Sequence, residues 1–274
     1  FSFVSHDIGL LFGNVQSGKT GQMFGIMCKA ADLGFPVFLL LTTDNVVLHQ
    51  QTLNRVHADL DGFCICGEND AAIFTENGLL QPTIVVLKKN ARVLKLWANI
   101  FNSTGFMKGN PLFIVDDEAD AASLNTMVNR DKQSSINKYL DSIKNGASSS
   151  LYLQVTGTPQ ALLLQTKVSG WKPLFYYYFN PGASYLGGDF FFGTKTPDCI
   201  EWIEDLEDPT LSVIIRHLSV SAQILGFGGN VSNCLFHPSV HQAVHEKYAK
   251  EVKEKLKWCR DNLEWEFKDR LFAE

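Results

Sequence analysis

The sequence predicts an α/β fold: a parallel β-sheet sandwiched between helices. Three observations lead there. Apolar runs of strand length recur at residues 8–12, 37–41, 83–87, 111–115 and 149–155. Several are continuous rather than alternating, as expected of strands covered on both faces. Stretches of helical periodicity separate them, and strand–helix alternation implies parallel pairing through crossovers.

The first run leads into Gly13-Asn14-Val15-Gln16-Ser17-Gly18-Lys19-Thr20, which fits G-x-x-x-x-G-K-[ST]. An apolar-periodic segment, residues 21–33, follows it. Strand, glycine-rich loop and helix together form the context this motif requires. A loop that curls around a phosphate must turn its amides inward, and glycines permit that path. The helix starting near Gly18 aims its free amides and dipole at the same anion. Lys19 then reaches the β- and γ-phosphates of ATP, and the Thr20 hydroxyl ligates Mg²⁺. The expected nucleotide contacts are Gly13, Asn14, Val15, Gln16, Ser17, Gly18, Lys19 and Thr20.

The chain then restarts at Phe35-Pro36. Residues 37–41 form a buried strand, Thr42-Thr43-Asp44-Asn45 a loop of capping residues, and 46–56 a helix. Residues 59–82 show a weak pattern and read as an irregular excursion. A strand at 83–87, Lys88-Lys89-Asn90 and a helix at 91–102 come next. The strand at 111–115 runs into Asp116-Asp117-Glu118-Ala119-Asp120, and the strand at 149–155 into Thr156-Gly157-Thr158-Pro159. These loops all follow carboxyl ends of strands, the edge where such sheets bind ligands. Acids at the end of a buried strand are costly unless a cation neutralises them. Asp117 therefore reads as a Mg²⁺ ligand and Glu118 as the group that orients or deprotonates an attacking water. Thr156, Gly157 and Thr158 read as a coupling segment beside them.

Composition bounds the alternatives. The chain has 274 residues, 45% hydrophobic and 19% charged, enough for one large or two small globular domains. The net charge of −5 supplies no global basic field, so a nucleic-acid contact must be a local patch. Arg55, Lys88 and Lys89, after strands on the predicted active edge, are the candidates. No apolar run has the length of a bilayer span, so no membrane partner is expected. The chain opens at Phe1, without Met or a signal sequence, and reads as a fragment of a longer protein. Of six cysteines only Cys64 and Cys66 are close, at C-x-C spacing. Zinc is not expected; reduced, packed thiols in a cytoplasmic protein are.

These residues resemble a superfamily-two helicase core. Gly18-Lys19-Thr20 matches its motif I, Asp117-Glu118-Ala119-Asp120 spells the DEAD of motif II, and Thr156-Gly157-Thr158 stands in the place of motif III. Further stretches resemble a narrower group, the "Z-one" domain family of endonucleases associated with restriction systems. They are Val15 to Thr20, Leu41-Thr42-Thr43 with Asn45, Gln51-Thr52-Leu53-Asn54-Arg55, Lys88-Lys89-Asn90, and Asp116 to Asp120 followed by Ala122-Ser123 and Asn125-Thr126. Pro181-Gly182 with Tyr185-Leu186-Gly187-Gly188, and His237-Pro238-Ser239, belong to the same set. Gln16 stands where many helicases have Gly, and Gly157 where motif III usually has Ala. The resemblance implies a RecA-like lobe and an ATP-driven module that handles double-stranded DNA. Its setting would be a restriction or phage-defence assembly with a nuclease subunit or domain.

Residues 1–180 are then expected to form the first RecA-like lobe, 181–209 a connector, and 210–274 the incomplete start of a second. Residues 134–144 read as a helix, and Phe175-Tyr176-Tyr177-Tyr178-Phe179 as the last strand of the first lobe. Its aromatics fit packing better than base stacking. Residues 199–206, 211–225 and 240–257 read as helices and 231–236 as a strand. No segment offers the arginine finger of a complete second lobe. His237, His241 and His245 fall near one predicted helix face; a solvated face is the simpler reading than a metal pair. Two other functions compete with the ATPase: a nuclease in which Asp116, Asp117 and Glu118 hold metal, and a nucleotide-bound scaffold that turns over poorly alone.

Overall fold

The computed structural model describes residues 5–121, 135–165, 171–193, 208–239 and 241–262. The chain divides into two compact units, Phe1–Phe190 and Phe191–Glu274.

In chain order the first unit opens with β1 (His6–Gly13), α1 (Lys19–Asp32), β2 (Val37–Thr42), α2 (Val46–Asp59) and β3 (Cys64–Cys66). There follow α3 (Ala71–Asn77), β4 (Thr83–Lys88), α4 (Ala91–Thr104) and β5 (Pro111–Asp117). It continues through α5 (Ser135–Gly146), β6 (Ser149–Thr156), α6 (Gln160–Gln165) and β7 (Phe175–Phe179). The short α7 (Gly188–Phe192) reaches the boundary between the units.

All seven strands pair in parallel, in the order β3-β4-β2-β5-β6-β1-β7. Alternation along each strand builds two cores. Val37, Leu39 and Leu41 of β2 face one layer with Val85, Leu87, Leu112 and Ile114, beneath Phe74 of α3, Trp97 and Phe101 of α4, and Leu140 and Ile143 of α5. Phe38 and Leu40 face the other with Ile84, Val86, Phe113 and Val115, beneath Met23, Phe24 and Met27 of α1 and Val56 of α2. A parallel sheet covered on both faces is the RecA-like α/β architecture the sequence predicts.

Local chemistry starts the helices where the sequence places them. Asn45 accepts from the amides of Val47 (2.9 Å) and Leu48 (3.1 Å) at the head of α2. Asn90 accepts from Arg92 N (3.0 Å) at the head of α4.

The excursion at 59–82 is more ordered than expected. β3 has three residues and α3 seven, too short for a periodic signal, yet β3 pairs with β4 and buries Cys64 and Cys66. Burial and the neighbouring Cys64 push the Cys66 thiol up to about 12.

In the second unit α8 (Pro209–Gly226) and α9 (Gln242–Asn262) pack through Ile214, Leu218 and Cys259, with Phe236 against them. Asp208 caps α8 through Leu211 N (3.0 Å) and pairs with Lys255 of α9. The expected strand at 231–236 is absent: these residues pair with no strand among the described residues. An isolated extended run has no ladder partner for its amides, and apolarity alone does not make a strand. The helix expected at 199–206, and Cys199, lie outside the described residues.

Candidate nucleotide site

Sheet register places the three predicted loops side by side. Phe12, one residue before the glycine loop, pairs with Thr156, and Val155 pairs with Asp117. β6 thus lies between the strand carrying the loop and the strand carrying the acids. Their carboxyl ends are two strand spacings apart, roughly 10 Å.

The loop turns through two left-handed residues, Gln16 (φ 57) and Gly18 (φ 94). Lys19 opens α1, and its Nζ donates to the carbonyls of Asn14 (2.7 Å) and Gly13 (3.4 Å). Burial lowers the Lys19 pKa, against the opposing pull of Asp117, Glu118 and Asp120. Those three acids therefore share one field with Lys19. Ser17 Oγ is buried with no hydrogen-bond partner among the described residues.

A cavity of about 600 Å³ holds these groups together. Val15, Gln16, Gly18, Lys19, Thr20 and Gly21 line it from the loop and α1. Asp117, Glu118, Asp120 and Ala121 line it from the acid loop, Thr156, Gly157 and Thr158 from the loop after β6, and Arg55 from α2. Its size suits a small-molecule ligand.

The acids differ in their surroundings. Burial and neighbouring Glu118 push the Asp117 carboxyl up to about 6, a poorly solvated acid that a cation would favour in its charged form. Glu118 sits in the left-handed region at φ 53, and its amide donates to Asp117 Oδ1 at 3.1 Å. Such backbone strain concentrates at functional sites. Asp120 is held by two threonines: Thr156 Oγ1 donates to Oδ1 at 2.6 Å and Thr158 Oγ1 to Oδ2 at 2.5 Å. Burial opposes its ionisation, but these hydroxyls prevail and keep its pKa below the usual value.

Thr20 and Asp117 face the same cavity, Asp117 is short of positive charge, and Ser17 Oγ is unsatisfied. The donor set fits a Mg²⁺-bound polyphosphate: hard oxygen ligands for the metal, amides and an ammonium for the phosphates.

Among the DNA-contact candidates, Lys89 needs correction. Lys89 is 1% exposed; its Nζ lies 3.0 Å from Asp116 Oδ1 and donates to the carbonyls of Asp117 (2.8 Å) and Glu118 (2.7 Å). A buried ammonium cannot reach a DNA phosphate; Lys89 instead braces the acid loop. Lys88 pairs with Glu68 at 3.5 Å, its side chain mostly buried. Arg55 is exposed and lines the 600 Å³ cavity.

Asp116 leaves the nuclease triad. It is fully buried, bound to Lys89 and accepting from Tyr152 Oη at 2.7 Å. No group of three His, Cys, Asp or Glu side chains among the described residues is arranged to hold a metal ion. His237 and His241 precede α9 rather than sharing its face with His245. The His237 and His245 rings meet edge to face at 5.3 Å, and His245 Nε2 bonds Ser239 O at 2.5 Å.

Two tyrosines were not anticipated as site residues. Tyr178 Oη donates to Asn14 Oδ1 (3.1 Å) and Tyr185 Oη to Val15 O (2.6 Å), pinning the outer side of the phosphate loop. Sequence offered only position: Tyr178 lies in the edge strand beside the loop's own strand, and Tyr185 follows it. Phe175 and Phe179 of that strand pack on the core, whereas Tyr176 is 72% exposed.

No protein-family model matches the chain, and no curated protein does. Among solved structures it is similar to the DNA-packaging ATPase of Sulfolobus Turreted Icosahedral Virus, at 14% identity and TM-score 0.41, over 65% of this chain and 78% of that one. It is also similar to the Hef helicase domain of Pyrococcus furiosus, at 14% identity and TM-score 0.43, over 97% of this chain. The match spans 53% of that domain, about half its length. No described helix is long and apolar enough to cross a membrane.

Proposed function

We propose that this chain is the ATP-binding and ATP-hydrolysing lobe of a helicase-like DNA translocase of the superfamily-two type. One observation carries the reading: Lys19, Thr20, Asp117 and Glu118 line a single cavity at the carboxyl edge of a parallel sheet. The loop amides and Lys19 bind the β- and γ-phosphates, exchanging the loop carbonyls that now accept from Lys19 Nζ for phosphate oxygens. Thr20 and Asp117 would hold Mg²⁺, which would supply neutralising charge to the phosphates. Glu118 orients the attacking water and accepts its proton. Asp120, bonded to Thr156 and Thr158, relays the state of the acid loop to the neighbouring strand.

The resemblance of the loop, the acid cluster and the flanking stretches to the Z-one group supports a restriction or phage-defence setting. Double-stranded DNA would be the track, a nuclease subunit or domain the partner, and the cytoplasm the location. Residues 1–180 would form the first lobe, 181–209 the connector, and 210–274 the opening of a second lobe whose closure couples hydrolysis to movement.

The test is the ATPase rate of the intact protein with and without double-stranded DNA. Lys19→Ala should lower turnover by roughly a hundredfold or more, the size of a lost preorganised charge contact. Wild-type-like turnover in that variant would end the reading. Cutting of DNA with Mg²⁺ alone, persisting in Lys19→Ala and lost in Asp117→Ala with Glu118→Ala, would replace it with the nuclease.

A further inference from the structure

We infer that Arg55 is a cis-acting arginine that grips the terminal phosphate of the bound nucleotide and stabilises the charge formed there during hydrolysis. This rests on the ATPase reading and assigns its second cation.

Three observations place Arg55. It lines the 600 Å³ cavity from α2, and among the described residues it and Lys19 supply the cationic side chains of that lining. A second polar cavity of about 130 Å³, walled by Thr42, Thr43, Gln51 and Thr52, shares Arg55, Asp117 and Glu118 with the first. Arg55 therefore stands at the partition between the two cavities, beside the acid that handles water. Its guanidinium lies over the Phe24 ring, 5.9 Å from the centroid, and Phe24 is one helical turn beyond Thr20. Stacking holds the stem against α1 without using the N–H donors.

Charge gives the reason. The cavity wall carries Asp117, Glu118 and Asp120 against Lys19 and Arg55. Lys19 already bonds two loop carbonyls, and Asp120 is bound by two threonines. Arg55 makes no ion pair or hydrogen bond among the described residues. A planar fork of donors beside Glu118 matches the equatorial oxygens of a phosphoryl group under attack. In the step, water oxygen bonds the γ-phosphorus and its proton passes to Glu118. The bond from the γ-phosphorus to the bridging oxygen breaks, and its electron pair leaves on ADP. Arg55 contacts the oxygens whose charge redistributes as that bond breaks.

The experiment compares the wild-type 274-residue chain with Arg55→Ala and Arg55→Lys. Binding of fluorescent Mg-ADP is measured with and without aluminium fluoride, a mimic of the transferring phosphoryl group. Arg55→Ala should keep ADP affinity within about threefold and lose roughly tenfold or more for the aluminium fluoride complex, since a transition-state contact is absent from the ground state. Arg55→Lys should recover little, because a point charge does not replace the fork. Thermal melting confirms that the exposed substitutions leave the fold intact. Equal affinity of Arg55→Ala and wild type for the aluminium fluoride complex overturns the inference alone. A defect confined to double-stranded DNA binding also overturns it and makes Arg55 a DNA contact. Failure of wild type to bind Mg-ADP overturns both this and the ATPase reading.

Discussion

The ammonium of Lys89 sits 3.0 Å from Asp116 Oδ1 with both side chains fully excluded from solvent. The same nitrogen donates to the carbonyls of Asp117 and Glu118, so one buried cation fixes the backbone that aims both candidate catalytic acids. Tyr152 satisfies the other oxygen of Asp116. Removing the lysine leaves a buried carboxylate uncompensated and the acid loop unbraced. Lys89→Met should cost about 3–5 kcal/mol, the usual penalty for breaking a buried pair from one side. Urea denaturation at neutral pH checks this. Pairing it with Asp116→Asn should recover part of the loss, since no unpaired charge then remains. A Lys89→Met protein of wild-type stability with weakened DNA affinity would return Lys89 to the surface role.

Asp120 is tied across the sheet edge to Thr156 and Thr158. This contact joins the acid loop to the loop after β6 without using the oxygens expected to meet metal or water. Thr156→Val with Thr158→Val should therefore leave Mg-ATP binding nearly unchanged. Stimulation of hydrolysis by DNA should fall about fivefold or more, a normal coupling energy between sites. Comparing the DNA-stimulated rate with nucleotide affinity separates the two effects. Equal losses in both would mean that the threonines only shape the nucleotide cavity.

Short-range chemistry was legible in the sequence, and partners distant along the chain were not. Gly13 to Thr20 follow from one motif and its flanks, and the buried strands from unbroken apolar runs. The acid cluster and Thr156-Gly157-Thr158 announced themselves by following such runs. Lys89 reads as a DNA-contact candidate because its partner Asp116 lies a helix and a strand away in sequence. The Tyr178 and Tyr185 contacts with the phosphate loop depend on β7 lying next to β1, a pairing of strands far apart in sequence. β3 is too short to show a period, and residues 231–236 show the converse: strand composition without a neighbouring strand. Left-handed Glu118 carries no sequence signature, because nothing in the residue type favours that backbone.

Gly9 illustrates a demand made by the same β1–β7 pairing. A β-carbon there would lie 2.3 Å from Phe175 Cζ, within the ring that closes the edge of the core. Gly9→Val should displace that ring and loosen β7, destabilising the protein by about 1–3 kcal/mol, as overpacking does. Gly9→Val with Phe175→Ala should be better tolerated than Gly9→Val alone. Thermal melts of wild type and the two variants decide it, and a neutral single substitution would show that the ring has another place to go.

Asp117 gives the site a pH dependence with a definite sign. Burial and Glu118 raise its folded pKa to about 6 from the ordinary 3.8. Between those values the native state holds a proton that the unfolded chain has released. Native stability without metal therefore falls as pH rises from about 4 to about 6, then levels off. The full effect is bounded by the shift, about 3 kcal/mol. Asp117→Asn removes the titration, so in chelator it should be more stable than wild type at pH 7.5, with the gap closing near pH 4. Metal requires the charged acid, so wild-type affinity for Mg-ATP should decline as pH drops through 6, and that of Asp117→Asn should be weak throughout. Denaturation midpoints in chelator across this range, with Mg-ATP titrations at both ends, measure the two effects together. A wild-type stability that rises from pH 4 to 6 relative to Asp117→Asn would mean that the native state already favours the Asp117 anion, and so no metal is needed to explain why an acid stands at that strand end.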